Sequence, residues 1–424
     1  MHPTTISDDG DGSLTGMDHL FSIESSLMRN LSTRRQFLRT ASQSVIAAAA
    51  LGSGWRPTWA ETKANADGGL IYHTEVPPNA EPPIEELVKN WITPEKHFYV
   101  RSHAPSPKID ADQFRLKIEG LVDSPGEISL AELMDKFPAK TVTATMTCAG
   151  NRRNEHSAIR AVDGVQWQSQ AIGNASWTGI PLSTVLKSVG LKPDAKHVWF
   201  EGLDQHQKKG KTIVFGGSIP ITKAMHDTDE MPGALLVNQM NGEPLTPDHG
   251  YPLRTVVPGY IGARSVKWLG KIVVSNRTMP NHYVQDAYKL VEEDTPGAWS
   301  ESAPLYRYPM NCGIARIQSR STDTREVMEV VGYALPPGTG RTLKRVEVSL
   351  NGGESWHQAK FERKPQPYVW SLWKLEVPVQ AVRGIAIARA VDSAGEAMPE
   401  RVEWNMKGYM FNSWYRKPFD LRLP

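Results

Sequence analysis

Cys148 is one of only two cysteines among the 424 residues, and Arg152 and Arg153 follow it closely. Apolar side chains alternate with threonines over residues 142–148, and this period of two predicts a strand that ends at the thiol. A thiol beside a turn with free backbone N–H groups and positive charge has a lowered pKa, and its thiolate can bind a metal. The alternative is a small buried hydrophobic residue, the usual role of a free cysteine.

Other segments of unusual composition could surround this thiol. They are residues 99–103, 200–204, 247–254 and 262–270, which add arginines, histidines and a lysine. Arginine clusters bind oxyanions and phosphates because the guanidinium group matches them in shape and charge. A single thiolate cannot form a zinc site by itself. It can, however, be the sole protein ligand of a metal whose other ligands come from an organic cofactor.

These segments need elements that position them. Alternation over residues 97–103 predicts a strand with Tyr99, Arg101 and His103 on one face. The proline-rich residues 61–95 are expected to lie extended over the surface of the domain that follows.

Helix signals are short and scattered. Ser129 and Glu132 form a capping box that predicts a helix through Phe137, and residues 181–190 predict a second helix closed by its glycine. Many strand-like pieces lie between, without regular βαβ alternation, so we expect a mixed α+β domain. The absence of a G-x-G-x-x-G or Walker motif argues against a nucleotide site.

The character of the sequence changes near residue 308. Residues 346–356 predict a hairpin with an Asn-Gly turn, and residues 370–377 and 384–391 predict further strands. A run of short strands without a convincing helix is typical of an immunoglobulin-like β-sandwich. Cys312, at the start of this region, is expected to be a small buried residue.

Composition excludes several classes of protein. The formal net charge is +2, which gives no indication of a nucleic-acid partner. No apolar run reaches the ~20 residues of a membrane span. Two cysteines allow at most one disulfide, so the fold is not a disulfide-stapled scaffold.

The N-terminal residues carry a targeting signal. Arg34 and Arg35 precede a mildly apolar stretch and small residues near position 60, as in a twin-arginine export signal. We therefore assign residues 1–60 to the signal region and expect a periplasmic location. The alternative is a basic amphipathic helix.

The motifs around Cys148, His249 and Lys267 are specific in combination. They read Cys-Ala-Gly-Asn-Arg-Arg, Asp-His-Gly-x-Pro-x-Arg and Gly-Ala-Arg-x-Val-Lys-Trp-Leu-Gly. From about residue 70 to the C-terminus the chain closely resembles the sulfite oxidase family of molybdenum enzymes. The resemblance implies a molybdopterin-binding catalytic domain at residues 61–307. An immunoglobulin-like dimerisation domain would follow at residues 308–424, and the protein would be a homodimer.

The resemblance also implies the site residues. Cys148 would ligate molybdenum, with one molybdopterin dithiolene as the other sulfur donor. Arg101 and Arg153 would hold the substrate oxyanion, Trp167 would wall the pocket, and Tyr288 would hydrogen-bond near the metal. The residues implied to contact the pterin and its phosphate are His103, Asp204, His249, Arg254, Ser265 and Lys267.

Some of these residues have structural alternatives. Trp167 and Tyr288 could be core aromatic residues, and His249 could be a turn residue satisfied by the backbone. Arg152 is expected to be a structural salt-bridge or interface residue. The lysine-rich residues 208–211 are expected to be a solvated loop, with docking of a partner as the alternative.

One departure concerns the substrate. Animal members of the family carry a third arginine between aromatic residues of the second domain, and the segment that we match to it, residues 369–373, has Ser371 in that place. Losing this arginine would weaken oxyanion binding by ~1.5–3 kcal/mol. Lys374 is the nearest substitute in sequence, although strand alternation puts it on the opposite face.

The function implied is molybdenum-dependent oxidation of sulfite to sulfate. The sequence has no haem-attachment motif and no N-terminal haem domain, so electrons are expected to pass to a separate periplasmic c-type cytochrome. The nearest alternative is a sulfane dehydrogenase subunit that acts on carrier-bound sulfur. A reductase of protein methionine sulfoxide is disfavoured because that enzyme lacks the C-terminal sandwich. The last alternative is an inactive binding module with the same fold.

Overall fold

The computed structural model describes residues 69–208, 210–321, 325–379 and 381–421. The predicted signal region lies outside them. Among the described residues, no helix is long and apolar enough to cross a membrane.

Most of the first domain is built from short strands. They are β1 (Ile71–Thr74), β2 (Asn79–Glu81), β3 (Val100–Arg101), β4 (Arg115–Gly120), β5 (Gly126–Ser129), β6 (Lys140–Thr147), β7 (Ile172–Pro181), β8 (His197–Lys208), β9 (Lys211–Pro220), β10 (Leu235–Met240), β11 (Glu243–Pro244), β12 (Arg254–Val256) and β13 (Leu269–Ser275). The helices are α1 (Ile84–Leu87), α2 (Leu130–Lys136), α3 (Arg153–Ile159), α4 (Leu182–Val189), α5 (Ile221–Met225) and α6 (Pro296–Glu301).

These strands form three sheets, with the orders β1-β2-β3, β11-β10-β7-β6 and β5-β4-β13-β8-β9, and β12 also pairs with β10. The pairing of β4 with β13 is parallel, whereas β8 pairs with β13 in the antiparallel sense. A core of buried aliphatic side chains, including Leu133, Leu186 and Ile272, lies between helices α2 and α4 and the third sheet. The α+β class predicted from the sequence is confirmed.

Both predicted helices of this domain are confirmed. Ser129 and Glu132 form both halves of a capping box at the start of α2, and α4 ends at Val189, directly before Gly190. Each helix begins and ends within about a residue of the sequence-based boundaries because local capping chemistry fixes helix ends.

The second domain is a sandwich of β14 (Asn311–Ser321), β15 (Glu326–Leu335), β16 (Leu343–Ser349), β17 (His357–Gln358), β18 (Lys360–Phe361), β19 (Ser371–Pro378), β20 (Arg383–Asp392) and β21 (Tyr415–Asp420). The sheet orders are β14-β15-β19-β18 and β17-β16-β20-β21. Side chains of both sheets, such as Trp373 and Val346, share one core. Cys312 is fully buried in this core, as predicted.

The expectation that residues 61–95 only cover the surface is wrong for the described part. Strand β2 pairs with both β1 and β3, and Glu81 is completely buried. The Glu81 carboxylate accepts hydrogen bonds from the backbone of Gln168 (2.9 Å) and Gln170 (3.3 Å) and contacts His73 (2.8 Å). This segment is therefore built into the domain, because a buried carboxylate must be matched by donors.

Candidate active site

Cys148 directly follows β6, at the start of a turn. Its backbone N–H donates to the Ala171 carbonyl on β7's side of the sheet (2.9 Å), and the Gly150 backbone N–H donates to the Cys148 sulfur (3.4 Å). The thiol is 8% exposed and lines a cavity. A sulfur that receives a backbone donor at a strand end is placed to act as a thiolate ligand.

The turn after Cys148 separates the two neighbouring arginines. Arg152 adopts a left-handed backbone conformation, with φ of 68°, so the side chains of Arg152 and Arg153 leave the turn in different directions. A β-carbon on Gly150 would lie 2.8 Å from Nη2 of Arg153. Gly150 is therefore required for the close approach of the Arg153 guanidinium to this turn.

Arg152 binds the second domain rather than the cavity. Its completely buried guanidinium pairs with Glu155 through two bonds, Nε–Oε1 at 2.6 Å and Nη2–Oε2 at 2.7 Å. It also donates to Asn311 Oδ1 (2.9 Å) and to the Ser413 carbonyl (2.8 Å). The predicted structural role of Arg152 is confirmed.

Arg153 is held in place by backbone carbonyls. Its Nε donates to Lys407 (2.9 Å) and its Nη1 to Val165 (2.8 Å). The guanidinium carbon lies 5.1 Å from the centre of the Tyr409 ring. Arg153 does not line the main cavity; it lies directly beyond Gly150, where its position is fixed before any ligand binds.

Arg101 and His103 both line the cavity, although the predicted strand over residues 97–103 is reduced to Val100–Arg101 in the structure. Arg101 donates to Asn79 Oδ1 (2.9 Å) and to His103 Nε2 (2.9 Å). Since a guanidinium can only donate, His103 Nε2 is the acceptor, and the imidazole is neutral with its proton on Nδ1. Burial, followed by the charge of Arg101, holds the pKa of His103 well below its usual value.

Tyr288 lines the same cavity. Its hydroxyl lies 3.2 Å from His103 Nε2, and its ring stacks on Tyr409 with the ring centres 5.2 Å apart and an interplanar angle of 15°. Burial raises the pKa of Tyr288 well above its usual value, so the hydroxyl stays protonated and can donate a hydrogen bond.

Two further cations, Lys267 and Arg254, line the cavity. Lys267 donates to Ser102 Oγ (2.7 Å) and to the Asp248 carbonyl (2.8 Å), and Arg254 donates to the His249 carbonyl (2.7 Å). Burial lowers the pKa of Lys267 to about 7 and that of Arg254 to about 10. Two cations with lowered pKa values that line one cavity would be stabilised in their charged forms by an anionic ligand.

Two buried polar atoms beside these cations have no hydrogen-bond partner among the described residues, namely Asp204 Oδ1 and His249 Nε2. Burial raises the pKa of Asp204 to about 6 and lowers that of His249. Ser265 Oγ accepts from the Val257 backbone N–H (3.0 Å), so its hydroxyl proton is available. Unsatisfied polar groups that face one cavity indicate a missing polar ligand.

Trp167 lies behind the site rather than in the cavity wall. It is completely buried, packs edge-on against His73 with ring centres 5.0 Å apart, and approaches Gly150. Nine of the predicted residues line one cavity: Cys148, Arg101, Tyr288, His103, Asp204, His249, Arg254, Ser265 and Lys267. Arg153 and Trp167 flank it at the turn after Cys148.

The match of Ser371 to the third arginine of the substrate site is wrong, because residues 369–373 do not line the cavity. Ser371 is buried in β19 opposite Ala334, and the neighbouring Trp370 bonds to Thr145 on β6. Thr145 points away from the face that carries Cys148, since side chains alternate along a strand. Lys374 is not a substitute cation for the site, because it pairs with Glu329 (2.6 Å) on the outer face of its sheet.

A different segment of the second domain reaches the site. Residues 405–410 form a turn in which the Met410 backbone N–H donates to the Ala149 carbonyl (2.8 Å). Tyr409 from this turn contacts Tyr288 and Arg153 and was missed by the sequence analysis. The local signal is weak: it consists of Gly408 beside an aromatic residue, and only the tertiary fold brings the turn to Cys148.

Comparison with known proteins agrees with this organisation. Residues 103–283 match the family model of the oxidoreductase molybdopterin binding domain, and residues 304–421 match the Mo-co oxidoreductase dimerisation domain.

Sulfite oxidases are among the similar proteins of known name. The mitochondrial sulfite oxidase of Macaca fascicularis is 39% identical over 365 residues, which cover 82% of this chain but 65% of the macaque protein. The sulfite oxidase of Arabidopsis thaliana is 36% identical over 372 residues, which cover 82% of this chain and 93% of the plant protein. The chain thus spans about two thirds of the length of the animal relative.

Among solved structures, the crystal structure of the sulfane dehydrogenase SoxCD from Paracoccus pantotrophus superposes with a TM-score of 0.70. The match covers 88% of this chain and 97% of the other, at 24% sequence identity. At that identity the likeness establishes the shared fold.

Proposed function

The chain belongs to the sulfite oxidase family of molybdopterin oxidoreductases, and on this basis we propose that it oxidises sulfite to sulfate in the cavity that contains Cys148. The observation that carries the proposal is the convergence of the Cys148 thiol, Arg101 and the cations Arg254 and Lys267 on a single cavity, with Arg153 anchored beside it at the turn after Cys148. In the overall reaction, sulfite and water give sulfate, two protons and two electrons.

The residues present fit a molybdenum–molybdopterin cofactor. Among the described residues, no group of three or more His, Cys, Asp or Glu side chains could hold a metal, so a metal at Cys148 needs ligands from a cofactor. The unsatisfied Asp204 and His249 atoms, the buried Arg254 and the half-buried Lys267 offer partners for a polar heterocycle with a phosphate. Cys148 would hold the metal, and the other four would hold the pterin part.

When bound, the cofactor supplies oxygen-atom transfer and accepts the two electrons. The protein supplies orientation and charge. Arg101 and Arg153 are each fixed by acceptors on their own chain, so they are positioned before the anion arrives and lose little freedom on binding it. Their two positive charges match a dianionic substrate and product.

Tyr288 and His103 line the same cavity, and the shifts of their pKa values fix which of them donates a hydrogen bond and which accepts one. The raised pKa of Tyr288 keeps its hydroxyl as a donor, and the lowered pKa of His103 keeps its Nε2 as an acceptor. The Tyr288 hydroxyl can therefore donate to a substrate oxygen without adding a charge that would need compensation, while His103 Nε2 accepts from Arg101.

We further propose export by the twin-arginine route, a periplasmic location, a homodimer formed through the second domain, and a separate c-type cytochrome as electron acceptor. The paired arginines in the signal region and the match to a dimerisation domain support these proposals. Cell fractionation with an Arg34→Lys, Arg35→Lys double variant tests export. Loss of periplasmic protein in that variant is the expected result.

The test of the reaction uses full-length protein purified from a host that makes molybdopterin. We expect stoichiometric molybdenum and sulfite-dependent reduction of ferricyanide and of a c-type cytochrome. Molybdenum-loaded protein that is inactive with sulfite but active with a persulfidated carrier protein would replace this proposal by the sulfane dehydrogenase alternative. Protein without molybdenum would contradict both.

A further inference from the structure

A turn of the second domain is built to present one tyrosine to the active site. Asn405 organises this turn: its Nδ2 donates to the Tyr409 carbonyl (3.0 Å), and its Oδ1 accepts from the Tyr409 backbone N–H (3.0 Å). The Gly408 backbone N–H donates to the Asn405 carbonyl (3.0 Å). The next residue, Met410, binds the backbone of Ala149, the direct neighbour of Cys148. Both sides of Tyr409 are therefore anchored.

The Tyr409 ring lies between two predicted substrate-pocket residues. Tyr288 stacks on it at 5.2 Å between ring centres, and the Arg153 guanidinium carbon lies 5.1 Å from the ring centre. The Arg153 Nε donates to the carbonyl of Lys407 in the same turn (2.9 Å). Tyr409 is half-buried, and its ring packs directly on Tyr288, which lines the cavity.

The hydroxyl of Tyr409 lies in the electrostatic field of the site. Loss of contact with water raises its pKa, while Arg153 and Arg101 lower it and the Cys148 sulfur raises it. These three groups are the two oxyanion arginines and the metal ligand. The net effect leaves a neutral hydroxyl that can donate to an anion between them.

We infer that Tyr409 is a specificity-determining residue of the substrate pocket, in which its hydroxyl donates to the bound sulfur oxyanion and its ring limits the pocket to small oxyanions. The inference rests on the proposed function, because it takes the anion between Arg101 and Arg153 to be the substrate. It makes the site incomplete without the second domain, since residues 405–410 belong to that domain. A bulky substituent on sulfur would meet the Tyr409 ring.

The test measures binding and turnover separately in the molybdenum-loaded enzyme. Sulfate affinity is measured by calorimetry, and kcat and KM are measured with sulfite and with benzenesulfinate, a larger anion that also carries a sulfur lone pair. Tyr409→Phe removes the hydroxyl alone, and we expect sulfate Kd and sulfite KM to rise about tenfold with kcat changed little. Tyr409→Val also removes the ring, and we expect the kcat/KM ratio of benzenesulfinate to sulfite to rise at least about tenfold.

Tyr308→Phe is the matched control, since Tyr308 is a buried tyrosine at the domain junction, whereas the ring contacts with Tyr288 and Arg153 are made by Tyr409. Unchanged sulfate Kd and sulfite KM in Tyr409→Phe would overturn the inference, as would an unchanged substrate ratio in Tyr409→Val. Wild-type enzyme that binds sulfate but does not oxidise sulfite would contradict the proposed function alone, and the sulfate affinity of Tyr409→Phe would still decide the role of the tyrosine. Wild-type enzyme that binds neither anion would contradict both.

Discussion

At the scale of single residues, two adjacent arginines have different roles because of one backbone angle. The left-handed conformation of Arg152 sends its side chain to the second domain, where Asn311 and Ser413 accept its hydrogen bonds. The side chain of the following residue, Arg153, lies against Gly150, two positions after the thiol. Residue type alone does not distinguish the roles of the two arginines. The backbone of the turn after Cys148 determines which arginine side chain lies beside the cavity.

Replacing Arg153 tests its assignment to substrate binding. In Arg153→Gln we expect the KM for sulfite to rise about 10- to 100-fold, because a charge-assisted hydrogen bond contributes about 1.5–3 kcal/mol. The kcat should change little if the interaction is equally strong in ground state and transition state. Steady-state kinetics with Arg160→Gln as the control checks this, since Arg160 is exposed and its guanidinium carbon lies 4.3 Å from the centre of the Trp404 ring. An unchanged KM in Arg153→Gln would remove it from the pocket.

Lys267 makes a prediction about pH. Its pKa falls from 10.5 in the unfolded chain to about 7 in the folded, cofactor-free protein. Between these values the unfolded state binds more protons, so the free energy of unfolding rises with pH. From pH 7 to pH 9 the gain from Lys267 should be about 2 kcal/mol.

Urea unfolding of cofactor-free wild type and Lys267→Met at both pH values measures this gain as the difference between the two proteins. Other groups titrate in both proteins and cancel to first order. Equal pH dependence in wild type and Lys267→Met would show that the lysine is not desolvated as the structure indicates.

The residues that sequence reasoning could identify were those with distinctive chemistry close to one another in the chain. Cys148, His249 and Lys267 lie in compact motifs, and Arg101 and His103 are only two positions apart in the chain. Tyr409 could not be found this way, because no local pattern marks a tyrosine whose neighbours, Tyr288 and Arg153, are far away in sequence.

At the scale of elements, the site depends on turns that follow strands. The turn after β6 (residues 148–153) carries the thiol and Arg153, and the turn at residues 405–410 crosses to it from the second domain. The assignment of Ser371 failed at this scale. The spacing of the aromatic residues around Ser371 is visible in the sequence. Whether this segment at the start of β19 packs against the cavity or against the face of β6 opposite Cys148 depends on how the sheets pack, which the sequence does not show.

Gly408 tests the junction of the two turns. It has φ of +57°, and an added β-carbon would lie 2.8 Å from Cγ of Arg153. We expect Gly408→Ala to displace Arg153 and to raise the Kd for sulfate at least about tenfold, together with a loss of about 1 kcal/mol of stability from the backbone.

Gly395→Ala is the matched control, because Gly395 also has positive φ (+89°) but has no other atoms within 4 Å of an added β-carbon. It should lose similar stability and keep the sulfate affinity of wild type. Equal affinities in the two variants would mean that the contact with Arg153 does not position the site.

At the scale of the whole molecule, the two domains are joined by buried polar contacts as well as by apolar packing. The Arg152 guanidinium lies between the rings of Phe411 and Tyr415, 4.9 Å from each ring centre, and pairs with Glu155 in the first domain. The two-domain order was predicted from the change in sequence pattern near residue 308. The contacts across the junction could not be predicted from the sequence, since the residues that form them are more than 150 positions apart.

Replacing Arg152 should therefore weaken the whole fold. We expect Arg152→Met to lower the free energy of unfolding by about 3 kcal/mol, because it breaks a buried pair and removes the Arg152 hydrogen bonds to Asn311 and to the Ser413 carbonyl. Arg383→Met, which breaks a surface pair with Asp420 whose side chains are 78% and 63% exposed, should change little. Chemical unfolding of the three proteins measures this, and equal stabilities would refute the role of Arg152 at the junction.

The central claim is that Cys148 holds the metal at which sulfite is oxidised. Its most direct test is the rate of sulfite-dependent ferricyanide reduction per mole of protein for wild type and Cys148→Ser, each produced in a molybdopterin-competent host. Loss of at least about 99% of the activity in a variant whose thermal unfolding matches wild type is the result we predict, because serine is a far poorer ligand for a soft metal site. Undiminished turnover in Cys148→Ser would contradict the claim.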